Sequence, residues 1–136
     1  MDFEKYIKAQ EVNYTKALTE IKSGKKKSHW IWYIFPTIAN RFINSEYNIK
    51  YAIQNKQEAI DYLNHEILGK RLIEITTELL NLTTNKIDDI FPIPDIKKVK
   101  ACMTLFQQIS NNDDVFSKVL EKFFDNQRDE ITLKSL

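Results

Sequence analysis

The most informative segment of the chain reads Lys25-Lys26-Lys27-Ser28-His29-Trp30-Ile31-Trp32-Tyr33-Ile34-Phe35-Pro36. It contains both tryptophans of the chain, one of its two histidines, three consecutive lysines and a terminating proline. On a short helix Trp30, Tyr33 and Ile34 share one face, while Ile31 and Phe35 share another. A helix that is apolar nearly all round has to be largely buried. We therefore expect this segment to be the central helix of the core.

The same segment also has the residues of a binding site. A buried tryptophan needs a partner for its indole N–H, and two of them stand within three residues. Trp30 or Trp32 could therefore line a cavity and stack on a flat ligand, while His29 and Lys27 bind polar or anionic groups. The core helix and the pocket wall stay open as alternative interpretations.

Ser28 and His29 are adjacent, but they do not form a catalytic dyad with each other. Neighbouring residues on a helix point about 100° apart and cannot share a side-chain hydrogen bond. Ser28 is interpreted as the N-cap of the aromatic helix rather than as a nucleophile. His29 is the candidate catalytic residue, a general acid or base, with a structural bond to a backbone carbonyl as the alternative.

The three lysines before Ser28 have two interpretations. Exposed N–H groups at a helix N-terminus bind anions, and a positive loop beside them strengthens such a site. Lys27 is accordingly a candidate ligand for phosphate. Three lysines that follow a helix also occur as a simple solvated loop, so this alternative stays open.

A second candidate segment runs from Asp95 to Phe106. Asp95 follows a proline and is interpreted as a helix N-cap. Together with Lys98 and Thr104 it forms a polar cluster that could complete a pocket with the aromatic segment. Cys102 lies beside core positions without an assured base, so it is not expected to act as a nucleophile. The two histidines and one cysteine have no metal-ligand spacing, and no cofactor is predicted.

Composition and charge narrow the class of protein. The chain has 136 residues, of which 43% are hydrophobic and 29% charged, with a formal net charge of +1. This balance gives no global attraction to nucleic acid or anionic lipid, so any such attraction has to be local. With a single cysteine there is no intramolecular disulfide and no argument for an oxidising compartment.

The charged N-terminus lacks the apolar core of a signal peptide. The longest apolar run, Trp30 to Phe35, is far shorter than the roughly 20 residues of a membrane span. We predict a soluble cytoplasmic protein with one domain over residues 1–136.

Helical periodicity recurs along the chain, which has only two glycines and three prolines. The pattern predicts an all-α fold, a compact irregular single-domain bundle of about six to eight helices. The predicted helices cover about Phe3–Ile21, Ser28–Phe35, a turn from Ser45, Lys56–Asn64, Glu66–Leu82, a short turn from Thr84 to Phe91, Asp95–Ser110, a helix opened by Asp113, and Asp129–Leu136. Gly24 is placed as the C-terminal glycine of the first helix, and Asn55 as a cap.

Several stretches together resemble one known family. They are Ala9-Gln10, Ala17-Leu18, Gly24 to Pro36, Tyr51-Ala52-Ile53, Glu58-Ala59, Tyr62-Leu63, Leu68-Gly69, Arg71-Leu72, Pro94-Asp95, Lys98, Met103 to Phe106 and Thr132-Leu133. The chain resembles the bacterial family known as domain of unknown function 1810, whose members are sometimes mislabelled calpastatin. The Ser-His-Trp-x-Trp-x-x-Phe-Pro string is the most specific part of the match.

This resemblance implies a mainly α-helical single domain without an established activity. It also implies that the candidate site residues belong to the family pattern: Lys27, Ser28, His29, Trp30, Trp32, Asp95, Lys98 and Thr104. The chain departs from the pattern at Thr37, at Glu66, and over residues 38–44, where a Gly-rich loop is expected. If that loop helps to form a ligand site, the segment Thr37–Asn44 alters or removes it.

The leading functional hypothesis is a pocket formed by residues Lys27–Pro36 and the helix Asp95–Phe106. Its ligand would be nucleotide-like or phosphate-bearing, and the pocket would bind or process it. A narrower form is the processing of ADP-ribose derivatives, by analogy with other small helical bacterial domains. The alternatives are a protein-interaction module without chemistry and, third, nucleic-acid binding through Lys25–Lys27, against which the balanced charge counts.

Overall fold

The structure is a computed structural model and describes residues 2–43, 45–110 and 114–136. Within these residues eight α-helices follow one another: α1 Glu4–Lys22, α2 Ile31–Ile34, α3 Glu46–Tyr51, α4 Lys56–Asn64, α5 Leu68–Leu80, α6 Ile93–Ile109, α7 Val115–Phe123 and α8 Glu130–Lys134. A 3₁₀ turn at Ile87–Asp89 precedes α6. The predicted all-α fold and the predicted number of helices are confirmed.

Local capping explains where several helices begin. The side chain of Ser45 accepts a hydrogen bond from Asn48 N at the start of α3, and Asn55 accepts one from Glu58 N at the start of α4. Each bond satisfies an N–H that has no partner within the helix. The Asn55 cap was predicted, whereas Ser45 was predicted only as the start of a helical turn. The capping residue of α7 is Asp114, whereas the predicted one, Asp113, lies outside the described residues.

Two predicted caps are wrong. The aromatic helix is only one turn long, and Trp30 rather than Ser28 occupies its N-cap position, without a capping side chain. Helix α6 begins at Ile93, so Asp95 lies within its first turn. Pro94 fits in that turn because the missing proline N–H would have no helical partner there. In both cases the side chain is committed to a partner elsewhere in the fold.

The core is one cluster to which every long helix contributes. Helix α6 packs against α4, α7 and α8, and α5 packs against α1, α4 and α7. The predicted stripe on α6 is buried at Val99, Met103 and Phe106. In the aromatic segment the core interpretation holds for Trp30, Ile31, Ile34 and Phe35, which are buried. Trp32 and Tyr33 are only partly buried, and this leaves them available to line a cavity.

Hydrogen bonds connect the loop after Pro36 to the rest of the protein. An isolated parallel bridge pairs Ile38 with Ile53, and the buried Thr37 hydroxyl donates to Asn48 Oδ1 at 3.2 Å. Farther along, Arg41 Nε donates to both carboxylate oxygens of Asp129, at 3.1 and 2.8 Å. Residues 37–43 are therefore anchored at both ends, although they lack the glycines expected from the family pattern.

Candidate functional site

The site begins with the turn that ends α1. Gly24 has a φ of +87°, a backbone conformation that glycine adopts without steric cost. Its N–H donates to Ile21 O, and Lys25 N donates to Glu20 O. One residue later, Lys26 N donates to Ile90 O at 2.8 Å. These bonds turn the lysine triplet back across the end of the helix.

Glu20 organises the next part of the segment from inside the protein. Its buried carboxylate accepts hydrogen bonds from Lys27 N at 2.7 Å, Ser28 N at 3.0 Å, Ser28 Oγ at 2.7 Å and the Trp30 indole N–H at 2.9 Å. Burial acts to raise the pKa of Glu20, but these bonds outweigh it and lower the pKa to about 2. Ser28 is therefore committed to Glu20, which explains why it caps no helix.

Asp95 joins two lysines from different parts of the chain. Lys26 Nζ lies 2.8 Å from Asp95 Oδ2, and Lys98 Nζ lies 3.2 Å from Asp95 Oδ1. Each ammonium also lies over a tryptophan ring: Lys26 is 5.0 Å from the ring centroid of Trp30, and Lys98 is 4.4 Å from that of Trp32. Cation–π attraction of this kind adds to the ion pairs. One carboxylate thus holds two cations against two aromatic rings.

A cleft of about 610 Å³ opens beside this cluster. Its walls come from α1, from the loop and helix of the aromatic segment, from α3 and from α6. The lining residues are Ala9, Val12, Asn13, Lys26, His29, Trp30, Ile31, Trp32, Tyr33, Tyr47, Tyr51, Asp95 and Lys98. Most of this lining is aromatic or aliphatic, and the charged groups are concentrated at the Asp95 cluster.

The cleft brings together part of the predicted site. His29, Trp30, Trp32, Asp95 and Lys98 all line it. The aromatic segment and α6 thus meet at one cleft, as the sequence hypothesis requires.

Three predicted site residues have other surroundings. Lys27 is exposed and does not line the cleft, and the hydroxyl of Ser28 donates to Glu20. Thr104 is fully buried, where its hydroxyl donates to Lys100 O and accepts from Asp129 N. The bond to Asp129 N connects α6 to the start of α8. The surroundings of Thr104 are those of a structural residue.

Sequence reasoning missed several residues of the cleft. Lys26 takes the inward position that was predicted for Lys27, and nothing in three identical neighbours indicates which of them turns inward. Tyr47 and Tyr51 could have been found, because they are four residues apart on α3 and so share a face. Tyr33 packs on Tyr51 with ring centroids 5.2 Å apart, and its hydroxyl accepts a hydrogen bond from Asn13.

Trp32 is held between the charged cluster and the anchored loop. Lys98 covers a face of its ring, and Phe42 packs against it at 5.9 Å in an edge-to-face arrangement. Phe42 follows Arg41, which is bound to Asp129. The loop that departs from the family pattern therefore supports a wall of the cleft.

The chemistry available in the cleft is mainly that of binding. Two ammonium groups share one carboxylate, which leaves an excess positive charge beside aromatic surface. The His29 side chain is exposed at the cleft, and among the described residues none forms a hydrogen bond with its ring. The Ser28 hydroxyl, its nearest neighbour in sequence, is occupied by Glu20. No nucleophile is therefore paired with His29 in the described part of the chain.

Residues 2–43, 45–110 and 114–136 contain neither a metal-binding cluster nor a membrane-spanning helix. In these ranges no group of three His, Cys, Asp or Glu side chains comes together in a way that could hold a metal ion. Nor does any helix in them have the length and apolar character needed to cross a membrane.

Comparison with known proteins identifies relatives of unknown function. The family model described as "Protein of unknown function (DUF1810)" matches residues 1–136. The fold is similar to the crystal structure of the conserved hypothetical protein Rv1873 from Mycobacterium tuberculosis, with a TM-score of 0.94 and 31% sequence identity. The match covers 98% of this chain and 94% of that chain. No curated protein matches the sequence.

Proposed function

We propose a ligand-binding role for this chain, which belongs to the family described as protein of unknown function DUF1810. The ligand is a small phosphate-bearing, nucleotide-like molecule that occupies the cleft beside Asp95. The observation that carries this proposal is the excess positive charge next to aromatic surface: Asp95 faces both Lys26 and Lys98. A volume of about 610 Å³ lies within the range of roughly 300–1,000 Å³ that is typical of small-molecule sites.

Lys98 is the cation that would contact the phosphate. The Lys26 side chain is only 4% exposed and is fixed between Asp95 and Trp30, whereas that of Lys98 is 16% exposed and makes the longer ion pair. Lysine has a flexible four-carbon stem and acts as a point charge for phosphate. Lys98 can therefore turn from Asp95 toward a ligand while Lys26 keeps the carboxylate neutralised.

The aromatic residues would bind the flat part of the ligand. Tyr47 is 64% exposed at the cleft, and Tyr51 is partly buried next to it. Trp32 adds a further ring, whose face is covered by the ammonium of Lys98. When Lys98 moves to the phosphate, that face of Trp32 becomes available for stacking. Phosphate binding and ring binding are therefore coupled.

His29 would hydrogen-bond the ligand or transfer a proton to it. A general acid or base has to lie within hydrogen-bond reach of the reacting atom, and an exposed ring at the cleft can meet that condition. Processing of ADP-ribose derivatives is the narrower form of this proposal, with His29 as its candidate catalytic residue. The cytoplasmic location and the single domain over residues 1–136 stay predictions that accompany it.

A thermal-shift titration tests the proposal with AMP, ADP, ADP-ribose and inorganic phosphate as probes. A ligand at 100 times its Kd stabilises the folded state by about 2.7 kcal/mol, which is visible as a raised Tm. We expect Lys98→Gln to lose this shift. Lys97→Gln is the matched control, because Lys97 is the exposed neighbour on α6 and does not line the cleft. No shift with any of these probes, or equal loss in both variants, would contradict the proposal.

A second candidate function is recognition of another protein. Val12 and Tyr47 line the cleft and are largely exposed, and Ile49 on α3 is exposed as well. Apolar side chains at a cleft entrance also fit a side chain of a partner protein. This role would be favoured if the nucleotide probes produced no shift.

Nucleic-acid binding through Lys25–Lys27 has less support. Lys25 and Lys27 are exposed, but Lys26 between them is buried in the ion pair with Asp95. The triplet therefore does not present a continuous basic surface to a phosphate backbone.

A further inference from the structure

We infer that the ligand carries a second anionic group, which binds in a lysine-lined groove adjacent to the cleft. This inference rests on the proposed function and specifies its substrate class. The ligand is a nucleotide with anionic groups at two separate positions of its ribose, which also carries the flat ring that binds the tyrosines.

The groove lies where α1 begins and α3 ends. It has a volume of about 490 Å³ and is lined by Asp2, Glu4, Lys5, Lys8, Ala9, Lys50 and Tyr51. Ala9 and Tyr51 also line the cleft, so the two spaces share a wall. To occupy both spaces, the ligand has to extend from the cleft past Tyr51 into the groove.

The charges of the two spaces are of the same sign. In the groove three lysines stand against two carboxylates, and in the cleft Lys26 and Lys98 stand against Asp95. Each space has a formal excess of one positive charge, with histidine neutral, whereas the whole chain has a net charge of only +1. The remaining residues therefore have a formal charge of −1, and an anionic ligand meets local positive charge at these two linings.

The surroundings of the groove lysines leave their ammonium groups available. Lys5 and Lys50 lie against the rings of Tyr6 and Tyr51, with each Nζ 5.3 Å from the ring centroid. Lys8 is exposed one turn after Lys5 on α1. By contrast, the Asp2 carboxylate accepts a hydrogen bond from Glu4 N at the start of α1. One of the two acidic groups is thus partly engaged, while the lysines surround the groove.

Tyr51 places aromatic surface between the two anion sites. Its ring packs against Tyr33 on the cleft side, and its neighbour Lys50 lines the groove. In a nucleoside 3′,5′-bisphosphate the ribose joins the two phosphates, and the base branches from the same ribose toward the aromatic side chains. A nucleoside 3′,5′-bisphosphate is the simplest probe of that class.

Isothermal titration with AMP and with adenosine 3′,5′-bisphosphate tests the inference. We expect the bisphosphate to bind at least about tenfold tighter, because the second phosphate gains charge-assisted contacts. The triple variant Lys5→Gln, Lys8→Gln, Lys50→Gln should remove this gain and leave the affinity for AMP within about twofold of the original. Added salt should weaken the bisphosphate more than AMP.

The control is a triple variant with the same change of charge at Lys16, Lys22 and Lys56, which are exposed and line neither space. It should keep the gain, and the Tm of both variants should match that of the parent protein. If the control loses the gain equally, the effect is one of overall charge and the inference is wrong.

The other outcomes separate this inference from the function on which it rests. Equal binding of AMP and the bisphosphate would overturn the second site but leave the cleft as a nucleotide site. Binding of neither would overturn the proposed function and the inference with it. A short single-stranded oligonucleotide that binds tighter than the bisphosphate would assign the groove to a nucleic-acid strand and overturn the inference.

Discussion

The indole N–H of Trp30 donates a 2.9 Å hydrogen bond to Glu20 Oε1, ten residues earlier in the chain. The same carboxylate accepts three further bonds from Lys27 and Ser28. The buried Glu20 carboxylate therefore accepts the indole N–H of a core tryptophan and also holds the loop that leads to the cleft. This bond connects the packing of the core with the shape of the candidate site.

The first prediction concerns Glu20→Gln. The variant keeps the size of the side chain but replaces an acceptor oxygen with an NH₂ group that faces N–H and O–H donors. We expect a loss of about 2–4 kcal/mol in the free energy of unfolding, because buried donors lose a charged acceptor. Denaturant unfolding measures this loss, and Glu11→Gln on the exposed side of α1 is the control. Equal stability of the two variants would show that Glu20 does not hold the loop.

The second prediction concerns the contribution of Glu20 to stability at low pH. The folded-state pKa of Glu20 is about 2, below its ordinary value of 4.5, so the ionised form favours the folded state. Its contribution is complete above about pH 4.5 and is lost as the pH falls toward 2. The Tm difference between the parent protein and Glu20→Gln should therefore shrink over this interval. A difference that stays constant down to pH 2 would contradict the assignment.

Asp129 contributes to acid sensitivity in the same direction. Burial acts to raise the pKa of Asp129, but hydrogen bonds from Thr132 and Arg41 outweigh it and lower the pKa. The Glu20→Gln variant should therefore still lose stability in acid, because Asp129 is unchanged in it. Circular dichroism melts of the parent and of Glu20→Gln between pH 7 and pH 2 separate the two contributions.

The third prediction distinguishes two neighbouring lysines. Lys26→Met removes a buried cation and leaves Asp95 with Lys98 alone, which should cost about 2–3 kcal/mol. Lys27→Met removes an exposed ammonium group, while the backbone N–H of residue 27 still donates to Glu20. The change in the free energy of unfolding should be less than about 0.5 kcal/mol. Chemical denaturation measures both values. A cost for Lys27→Met as large as that for Lys26→Met would reverse the assignment.

The fourth prediction compares the two glycines. A Cβ at Gly69 would lie 1.9 Å from the backbone oxygen of Leu63, so Gly69→Ala would force α4 and α5 apart. We expect a loss above about 3 kcal/mol. At Gly24 nothing lies within 4 Å of an added Cβ, and the cost of Gly24→Ala comes only from its positive φ, about 1 kcal/mol. Thermal melts should give a lower Tm for Gly69→Ala than for Gly24→Ala. Equal Tm values for the two variants would contradict this prediction.

The fifth prediction concerns Cys102. Burial raises the pKa of its thiol well above the ordinary value, and the residue is fully enclosed in the core. Since the thiolate is the reactive form, Ellman's reagent should label the protein in guanidinium but not in the folded state. Rapid labelling of the folded protein would indicate that α6 opens more easily than its packing implies.

The helices could be predicted because their signals are local. Ser45 and Asn55 each bond to a backbone N–H three residues away, so the capping pattern is visible in the sequence. The apolar stripe of α6 follows helical spacing in the same way. Asp95 has a similar sequence signature, but its carboxylate forms ion pairs with Lys26 and Lys98 instead of capping a helix.

Local signals in the sequence are sufficient to predict an all-α fold and the positions of most helices, and they point to the two segments that line the cleft. Periodicity and capping act over three or four residues, and the printed chain contains that information. The packing of the helices, by contrast, turns Lys26 rather than Lys27 inward and adds Tyr47 and Tyr51 to the wall of the cleft. Those positions depend on the buried Asp95 carboxylate on α6 and on how α3 packs against α2, which no local pattern encodes.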